Sequence, residues 1–270
     1  MVECIWADQQ SLPADDRGLA YGDGLFETIR VHSDQPTLFD YHVRRLFQGA
    51  ERLSISLAFD DIVDTIQAAV ERYGNADDWI LKIILTRGTG GRGYRPDPAS
   101  RPRMIASRHV LPPVPQAGIA VSTSECVLTV DPLLAGLKTL NRLPQVLASQ
   151  SMPDWAYEAL MTSGHGDYLE GTKTNLFARL DDRWVTPPVE QLAVAGVARQ
   201  AVIDYLDSAG EPIDYRAITP DDLRHTDFQG LAITNSIFGA IPVAEIDGLR
   251  LPTGPCLAKI RSFLAEALGF

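Results

Sequence analysis

The sequence predicts an α+β fold made of two domains. Strand-like and helix-like segments are mixed along the chain without the strict alternation that a doubly wound parallel sheet requires. Residues 111–118 form a proline-rich connector, Leu-Pro-Pro-Val-Pro-Gln-Ala-Gly, which we expect to be a stiff linker. A chain of 270 residues is long enough for a small α+β domain at 1–110 and a larger α+β domain at 119–270.

The elements of the first part follow from alternation, β-branching and turn residues. Strands are predicted at Val2–Trp6, Leu25–His32, Thr37–Phe39, Trp79–Thr86 and Arg103–Val110. Asp40 is expected to cap a helix from Tyr41 to Leu53, and Gly74 is expected to end a second helix that begins at Asp61.

The elements of the second part are predicted from the same signals. Strands are predicted at Ile119–Ser122, Glu158–Thr162, Asp167–Thr172, Asn175–Leu180, Trp184–Thr186 and Leu231–Thr234, with a hairpin over Ala244–Leu251 around Asp247-Gly248. Helices are expected around Pro144, over Val197–Leu206, from Thr219-Pro-Asp-Asp222 and over Pro255–Leu268.

Composition excludes several classes of function. The net charge of −11 argues against nucleic acid or an anionic membrane as the main partner. The three cysteines are scattered without CxxC spacing, so we expect neither a disulfide framework nor a structural metal site. The N-terminal segment has no signal-peptide pattern and no apolar run is long enough for a membrane span, so we expect a cytoplasmic protein.

Lys138 is the first candidate for a catalytic residue. It is one of four lysines in a chain that otherwise uses arginine for its cations, and it lies between apolar residues in Gly136-Leu-Lys-Thr-Leu-Asn-Arg-Leu143. A desolvated lysine has a lowered pKa and serves as a nucleophile in Schiff-base chemistry. The alternative is a lysine that snorkels from a half-buried position.

Three further features are candidates for ligand binding. Glu170 lies in a predicted strand, where an inward carboxylate needs a cationic partner such as a pyridinium N–H; otherwise it is a solvent-facing strand residue. The Gly196-Val-Ala198 helix start and the Thr234-Asn-Ser236 strand end are possible anion sites, although each is also an ordinary cap or turn. The Gly88–Gly93 match to GxGxxG does not predict a dinucleotide site, because the proline that follows prevents a good helix start.

Six blocks occur in a fixed order along the chain. They are Ala20-Tyr-Gly-Asp-Gly-Leu-Phe-Glu-Thr-Ile-Arg30, His42-Val-Arg-Arg-Leu46, Leu137-Lys-Thr-Leu-Asn-Arg-Leu143, Glu170-Gly-Thr-Lys-Thr-Asn-Leu-Phe177, Gly196-Val-Ala-Arg199 and Thr234-Asn-Ser236. Together they resemble the fold-type IV pyridoxal-phosphate enzymes, which include branched-chain aminotransferases, D-amino-acid transaminases and 4-amino-4-deoxychorismate lyases. The resemblance covers about residues 2–260.

The resemblance implies a two-domain α+β architecture with pyridoxal 5′-phosphate in the cleft between the domains, and a homodimer. It implies that Lys138 is the Schiff-base lysine and that Glu170 is the partner of the pyridine nitrogen. The phosphate group would be bound by Arg45, Val197, Ala198, Asn235 and Ser236. From their positions in the chain, we expect Arg92 to bind substrate, with Arg30, Arg95 and Asn141 as further candidates, and Thr28 to provide a catalytic hydroxyl.

Within the family, Thr86–Tyr94 and Leu137–Leu147 look most like the aminodeoxychorismate lyases. That likeness implies conversion of 4-amino-4-deoxychorismate to 4-aminobenzoate and pyruvate in folate biosynthesis, through aldimine exchange and proton abstraction by Lys138. The open alternatives are a D-amino-acid or branched-chain aminotransferase on the same scaffold, or a binding protein without catalysis.

Overall fold

The computed structural model describes residues 2–75, 77–90 and 92–270, and it divides into two compact units. The first unit extends to Pro112 and also contains Leu137–Asn141. The second unit comprises Pro113–Gly136 and Arg142–Phe270. The sequence interpretation placed the Lys138 segment in the larger domain, whereas this segment groups with the smaller unit. Gly91 of the glycine-rich loop lies outside the described residues.

The first unit is a sheet with two helices packed on one face. Its elements are β1 (Glu3–Trp6), α1 (Arg17–Tyr21), β2 (Gly24–His32), β3 (Gln35–Pro36), α2 (Phe39–Arg52), α3 (Phe59–Tyr73), β4 (Trp79–Thr86) and β5 (Arg103–Val110). In the described part of this unit the strand order is β1-β5-β4-β2-β3. Neighbouring strands are antiparallel except for β1 and β5, which are parallel.

Alternation along β2 and β4 gives this sheet two different faces. Leu25, Ile29 and Val31 of β2 are buried in a core that also contains residues of α2 and α3. Because successive side chains point to opposite faces, Phe26 and Thr28 lie on the other face. Leu137 is buried in the same core, so the segment that carries Lys138 is packed into this unit.

The second unit is built on a larger sheet. Its elements are β6 (Ile119–Thr123), α4 (Leu143–Gln150), β7 (Glu158–Thr162), β8 (Tyr168–Gly171), β9 (Asn175–Leu180), β10 (Arg183–Thr186), α5 (Val197–Ser208), β11 (Ile213–Tyr215), β12 (Phe228–Asn235), β13 (Gly239–Ile246), β14 (Leu249–Arg250) and α6 (Leu257–Leu268). Single 3₁₀ turns occur at Val189–Gln191 and Asp222–Arg224.

The second sheet closes on itself. Its order is β11-β10-β9-β12-β13-β6-β7-β8, and β8 pairs again with β9 through Glu170 and Asn175. The strands from β9 through β12, β13, β6, β7 and β8 therefore form a ring around an apolar core. Glu170, the residue predicted to bind the cofactor nitrogen, lies at the closure point.

The two sheets with their packed helices confirm the predicted α+β class. The bounds predicted for Trp79–Thr86, Arg103–Val110, Glu158–Thr162 and Asn175–Leu180 are correct. No helix in the described ranges combines the length and the apolar character needed to cross a membrane.

Two local predictions are wrong. Thr37–Phe39 is not a strand, because Leu38 adopts a left-handed conformation with φ 50° and α2 begins at Phe39. Asp40 lies in the first turn of α2 and does not cap it. The prediction that Gly74 ends the second helix is correct, and the backbone of Gly74 is extended there; a Cβ atom would lie 2.7 Å from the backbone oxygen of Val70.

A third prediction is only partly correct. Thr219 and Asp222 form the reciprocal hydrogen bonds of a helix start, with Thr219 N donating to Asp222 Oδ2 at 2.8 Å. Only the 3₁₀ turn Asp222–Arg224 follows, because His225 returns the backbone to an extended conformation.

Candidate functional site

The Lys138 segment runs alongside the start of β2. Phe26 N donates to Lys138 O at 2.9 Å, and Leu140 N donates to Gly24 O at 3.1 Å. These bonds, together with the burial of Leu137, fix the backbone on both sides of the lysine. The Lys138 side chain is half-buried, and its Nζ lies 4.1 Å from the centroid of the Phe26 ring. An ammonium at this distance from a ring face is held by a cation–π interaction.

Glu27, on the core face of β2, forms the centre of a buried ionic cluster in the same unit. Arg45 Nε donates to Glu27 Oε1 at 2.8 Å and Arg45 Nη2 donates to Glu27 Oε2 at 2.5 Å. His42 Nδ1 lies 2.6 Å from Glu27 Oε2. His42 and Arg45 are three residues apart on α2, so both side chains face β2. The predicted phosphate arginine is therefore oriented by a bidentate carboxylate.

The protonation states in this cluster follow from its burial and charge. Burial alone would raise the pKa of Glu27, but the charge of Arg45 and the contacts of His42 lower that pKa from 4.5 to about 2. The pKa of His42 is lowered, first by burial and then by the charges of Arg45 and Lys138, although the charge and the hydrogen bond of Glu27 act in the opposite direction. We infer a neutral His42 that donates its Nδ1 proton to Glu27, since its buried Nε2 has no acceptor among the described atoms.

Thr28 lies on the opposite face of β2 from this cluster. It is half-buried and stands directly across from Lys82 of β4 in the antiparallel register. Lys82 in turn stands across from Ser107 of β5, and its Nζ lies 5.5 Å from the Phe26 centroid. Thr28 thus shares a polar row with a second lysine, and its catalytic role stays a prediction.

The predicted substrate-binding residues differ in their surroundings. Arg92 lines a cavity of about 500 Å³ together with Tyr21, Thr89 and Ser100. The loop that carries Arg92 and Arg95 is anchored by buried Arg17, which donates to Gly93 O at 3.0 Å and Tyr94 O at 2.7 Å. The side chains of Arg92 and Arg95 are exposed.

The other two substrate candidates already have structural contacts. Arg30 is buried and forms an ion pair with Asp78 at 2.5 Å. Asn141 Nδ2 donates to Gly22 O at 3.1 Å and so fixes the end of α1. Their roles in substrate binding stay predictions.

Glu170, in the second unit, is almost fully buried. Its Oε2 accepts a hydrogen bond from Val194 N at 3.2 Å. Its cross-strand partner Asn175 donates to Val194 O at 3.0 Å and accepts from Gly196 N at 3.0 Å. A Cβ atom on Gly196 would lie 2.1 Å from Asn175 Oδ1, so a side chain at this position would displace the Asn175 amide. Two neighbouring strands therefore hold the loop that leads into α5.

The start of α5 provides buried backbone amides. Val197 and Ala198 are its first two residues and both are buried. Gly196, at the cap position, provides no side-chain cap. The first amides of a helix have no acceptor within the helix, and the positive end of its dipole attracts anions. This arrangement suits a phosphate group.

Asn235 organises the turn between β12 and β13. Its Oδ1 accepts from Ile237 N at 2.9 Å and Phe238 N at 3.0 Å, and its Nδ2 donates to Lys173 O at 3.4 Å. Ser236 is half-buried within this turn. The Asn235 side chain therefore stabilises the main chain around it. Direct contacts of Asn235 and Ser236 with a phosphate group stay predictions.

Sequence reasoning missed the role of Glu27. The signal was available, because alternation along Leu25–Val31 places this carboxylate on an otherwise apolar face, and a buried carboxylate requires a cationic partner. The partners could not be found from the strand alone, since they lie on α2.

Comparison with known proteins decides the family. The model of class IV amino-transferases matches residues 24–246. The chain belongs to the class IV aminotransferase family. A crystal structure of 4-amino-4-deoxychorismate lyase from Pseudomonas aeruginosa is 36% identical, with a TM-score of 0.91 over 97% of both chains. These matches confirm the predicted fold-type IV class and its likeness to the lyases.

Two other relatives differ in their described activity. A putative branched-chain-amino-acid aminotransferase from Methanocaldococcus jannaschii is 32% identical over 86% of this chain and 82% of its own length. The pyridoxal-phosphate-bound structure of a hypothetical aminotransferase from Mycobacterium tuberculosis is 26% identical, with a TM-score of 0.79 over 97% of this chain and 94% of that one.

Pyridoxal 5′-phosphate is the cofactor of this family, as predicted. The side chains of each unit fit such a group. The first unit presents the half-buried amine of Lys138 and the oriented guanidinium of Arg45. The second unit presents the buried Glu170 carboxylate and the uncapped start of α5.

Proposed function

We propose that the protein is a 4-amino-4-deoxychorismate lyase that releases 4-aminobenzoate and pyruvate for folate synthesis. The observation that carries this proposal is the 36% identity to the Pseudomonas aeruginosa lyase over nearly the full length of both chains. The aminotransferase relative from Methanocaldococcus jannaschii matches a smaller part of the chain. A branched-chain or D-amino-acid aminotransferase is the second candidate, because the family performs both chemistries on one scaffold.

In this proposal the residues of each unit have separate tasks in binding the cofactor. When bound, pyridoxal phosphate supplies an electrophilic aldehyde and an electron-withdrawing ring. Arg45 and the amides of Val197 and Ala198 would bind its phosphate, and Lys138 Nζ would bond to its aldehyde carbon. Glu170 would accept the pyridine N–H and so keep the ring nitrogen protonated.

Lys138 is also the proposed proton carrier. When it is not bonded to the cofactor, Lys138 Nζ would be an unprotonated amine next to the substrate. It accepts the proton from the ring carbon that bears the substrate nitrogen. The electron pair left on that carbon allows the enolpyruvyl ether bond to break, and the substrate ring becomes aromatic. Protonation of the released enolpyruvate, by Lys138 or by nearby water, would complete pyruvate, and Lys138 Nζ would then displace the aromatic amine from the aldehyde carbon to release 4-aminobenzoate.

Arginine side chains are the proposed ligands of the substrate carboxylates. The substrate is a dicarboxylate, and a guanidinium forms bidentate hydrogen bonds with a carboxylate. Arg92 is the first choice because it is exposed and lines the cavity near Tyr21. Arg95 is exposed on the same loop, whereas Arg30 would have to bind substrate while paired with Asp78.

We further propose that the protein forms a homodimer through α4. This helix buries Gln145 and Ala148 but exposes Leu143, Val146 and Leu147. The three exposed residues are three and four positions apart, so they form one apolar stripe. An exposed apolar stripe on a soluble helix is typical of a contact with another protein surface.

The function is tested by incubating the purified protein with 4-amino-4-deoxychorismate and assaying pyruvate and 4-aminobenzoate. Equimolar formation of both products is expected. A parallel reaction with 2-oxoglutarate and an amino-acid donor, D-alanine or L-leucine, measures amino transfer. Amino transfer without pyruvate would reject the lyase and establish the aminotransferase alternative.

A further inference from the structure

Glu158, the first residue of β7, has no place in the proposed chemistry although it is completely buried. Its carboxylate forms no ion pair with any described residue. A buried carboxylate is costly unless hydrogen bonds satisfy it. Glu158 Oε1 accepts from Thr172 Oγ1 at 2.6 Å, Thr172 N at 3.1 Å and Ala159 N at 3.0 Å. Glu158 Oε2 accepts from Thr174 Oγ1 at 3.1 Å and Lys173 N at 3.4 Å.

Four of these five donors belong to one turn, residues 171–174, which joins β8 to β9. The turn also closes on itself, since Gly171 N donates to Thr174 O at 2.8 Å. A Cβ atom on Gly171 would lie 2.1 Å from Thr174 Oγ1 and 2.8 Å from Glu158 Cδ. The turn is therefore wrapped tightly around the Glu158 carboxylate, and glycine is required for that close approach.

This turn separates the two residues that close the ring of strands. Glu170 precedes it and Asn175 follows it, and the two are cross-strand partners. Through Asn175, the turn is connected to Gly196 and hence to the start of α5. Its Lys173 carbonyl accepts from Asn235, which orders the turn after β12.

We propose that Glu158 is a positioning residue that acts through Glu170. By fixing the 171–174 turn, its carboxylate holds Glu170 in the orientation needed to bind the protonated pyridine nitrogen. This inference rests on the role proposed above for Glu170. It does not depend on whether the reaction is elimination or amino transfer, because both require the same ring nitrogen to be protonated.

Glutamine at position 158 is the most informative substitution. It preserves size but replaces one acceptor oxygen with an NH₂ group, which faces donors in the turn. Threonine hydroxyls can rotate to accept a hydrogen bond, but the amides of Thr172 and Lys173 cannot. We therefore expect a folded variant with a displaced turn. Thr172→Val, which removes the shortest hydrogen bond and leaves the carboxylate, provides a second and milder perturbation.

The experiment binds pyridoxal phosphate labelled with ¹⁵N in the ring to wild type, Glu158→Gln, Thr172→Val, Glu170→Gln and the Glu158→Gln/Glu170→Gln double variant. The ¹⁵N chemical shift reports protonation of the ring nitrogen, and titration of the apoprotein gives the dissociation constant. Glu245→Gln, at a half-exposed strand position of the same sheet, is the control.

We expect Glu158→Gln to move the ¹⁵N shift toward that of Glu170→Gln and to weaken cofactor binding about 10-fold, as loss of a supporting hydrogen bond commonly does around bound metals. Thr172→Val should move the ¹⁵N shift in the same direction by a smaller amount. The double variant should resemble Glu170→Gln alone, because residues that act through one another are not additive. Glu245→Gln should match wild type.

Two results would count against different parts of the reasoning. If Glu170→Gln changes the ¹⁵N shift and Glu158→Gln does not, Glu158 is only a structural residue and the positioning role is rejected. Additive losses of cofactor affinity in the double variant would also reject the positioning role. If Glu170→Gln itself leaves the shift unchanged, the proposed role of Glu170 is wrong, and the positioning role falls with it.

Discussion

Replacing Glu27 with glutamine tests the buried cluster that orients Arg45. The carboxylate is 1% exposed and accepts two hydrogen bonds from Arg45 and one from His42. Removing one partner of a buried ion pair costs about 3–5 kcal/mol, because the other charge is left without compensation. The lowering of the Glu27 pKa from 4.5 to about 2 corresponds to about 3 kcal/mol of folding free energy, which agrees with that range.

The assay is equilibrium unfolding of the apoprotein in urea at neutral pH. Glu3→Gln is a matched control, since Glu3 also accepts from an arginine, Arg103, at 2.6 Å in the same unit. Glu3 is 57% exposed, so its loss should cost less than about 1 kcal/mol. Equal losses of unfolding free energy in Glu27→Gln and Glu3→Gln would refute the argument that burial increases the contribution of the Glu27 cluster to stability.

Further predictions concern pH, packing and assembly. Because the pKa of Glu27 is lowered, its contribution to stability should be complete above pH 4.5 and disappear as the pH falls toward about 2; Glu27→Gln should flatten this part of the stability–pH curve, and an unchanged curve would contradict the assignment. Gly171→Ala should destabilise the protein by about 1–3 kcal/mol in urea, because the added methyl group meets Thr174 and Glu158, whereas Gly164→Ala has open space and should cost less than about 1 kcal/mol. Leu147→Asp should shift the protein from dimer to monomer in light scattering, and a monomeric wild type would reject the α4 interface.

The sequence predicted those strands whose patterns are purely local. Trp79–Thr86 is a run of β-branched and apolar residues, and its bounds are correct. The strand predicted at Thr37–Phe39 is wrong because Leu38 takes a left-handed conformation, which nothing in its residue type indicates. The end of α3 at Gly74 is predicted correctly, since glycine is a local helix-ending signal.

The sequence motifs of the site could be predicted, but the hydrogen bonds that connect its residues could not. The order of the blocks around Lys138, Arg45 and Glu170 was enough to indicate the family, which the comparisons confirm. The supporting roles of Glu27 and Glu158 depend on contacts with residues that are 14 to 18 positions away in sequence. Strand alternation shows that such a carboxylate is buried, but only the fold shows what satisfies it.

The position of the covalent bond to the cofactor tests the account most directly. The holoprotein is reduced with borohydride, digested, and examined by mass spectrometry for a pyridoxyl-phosphate adduct. With lysines only at 82, 138, 173 and 259, the four possible sites are readily separated. The adduct is expected on Lys138 alone and should be absent from Lys138→Ala. An adduct on Lys82, or on any lysine in Lys138→Ala at wild-type yield, would contradict the central role of Lys138.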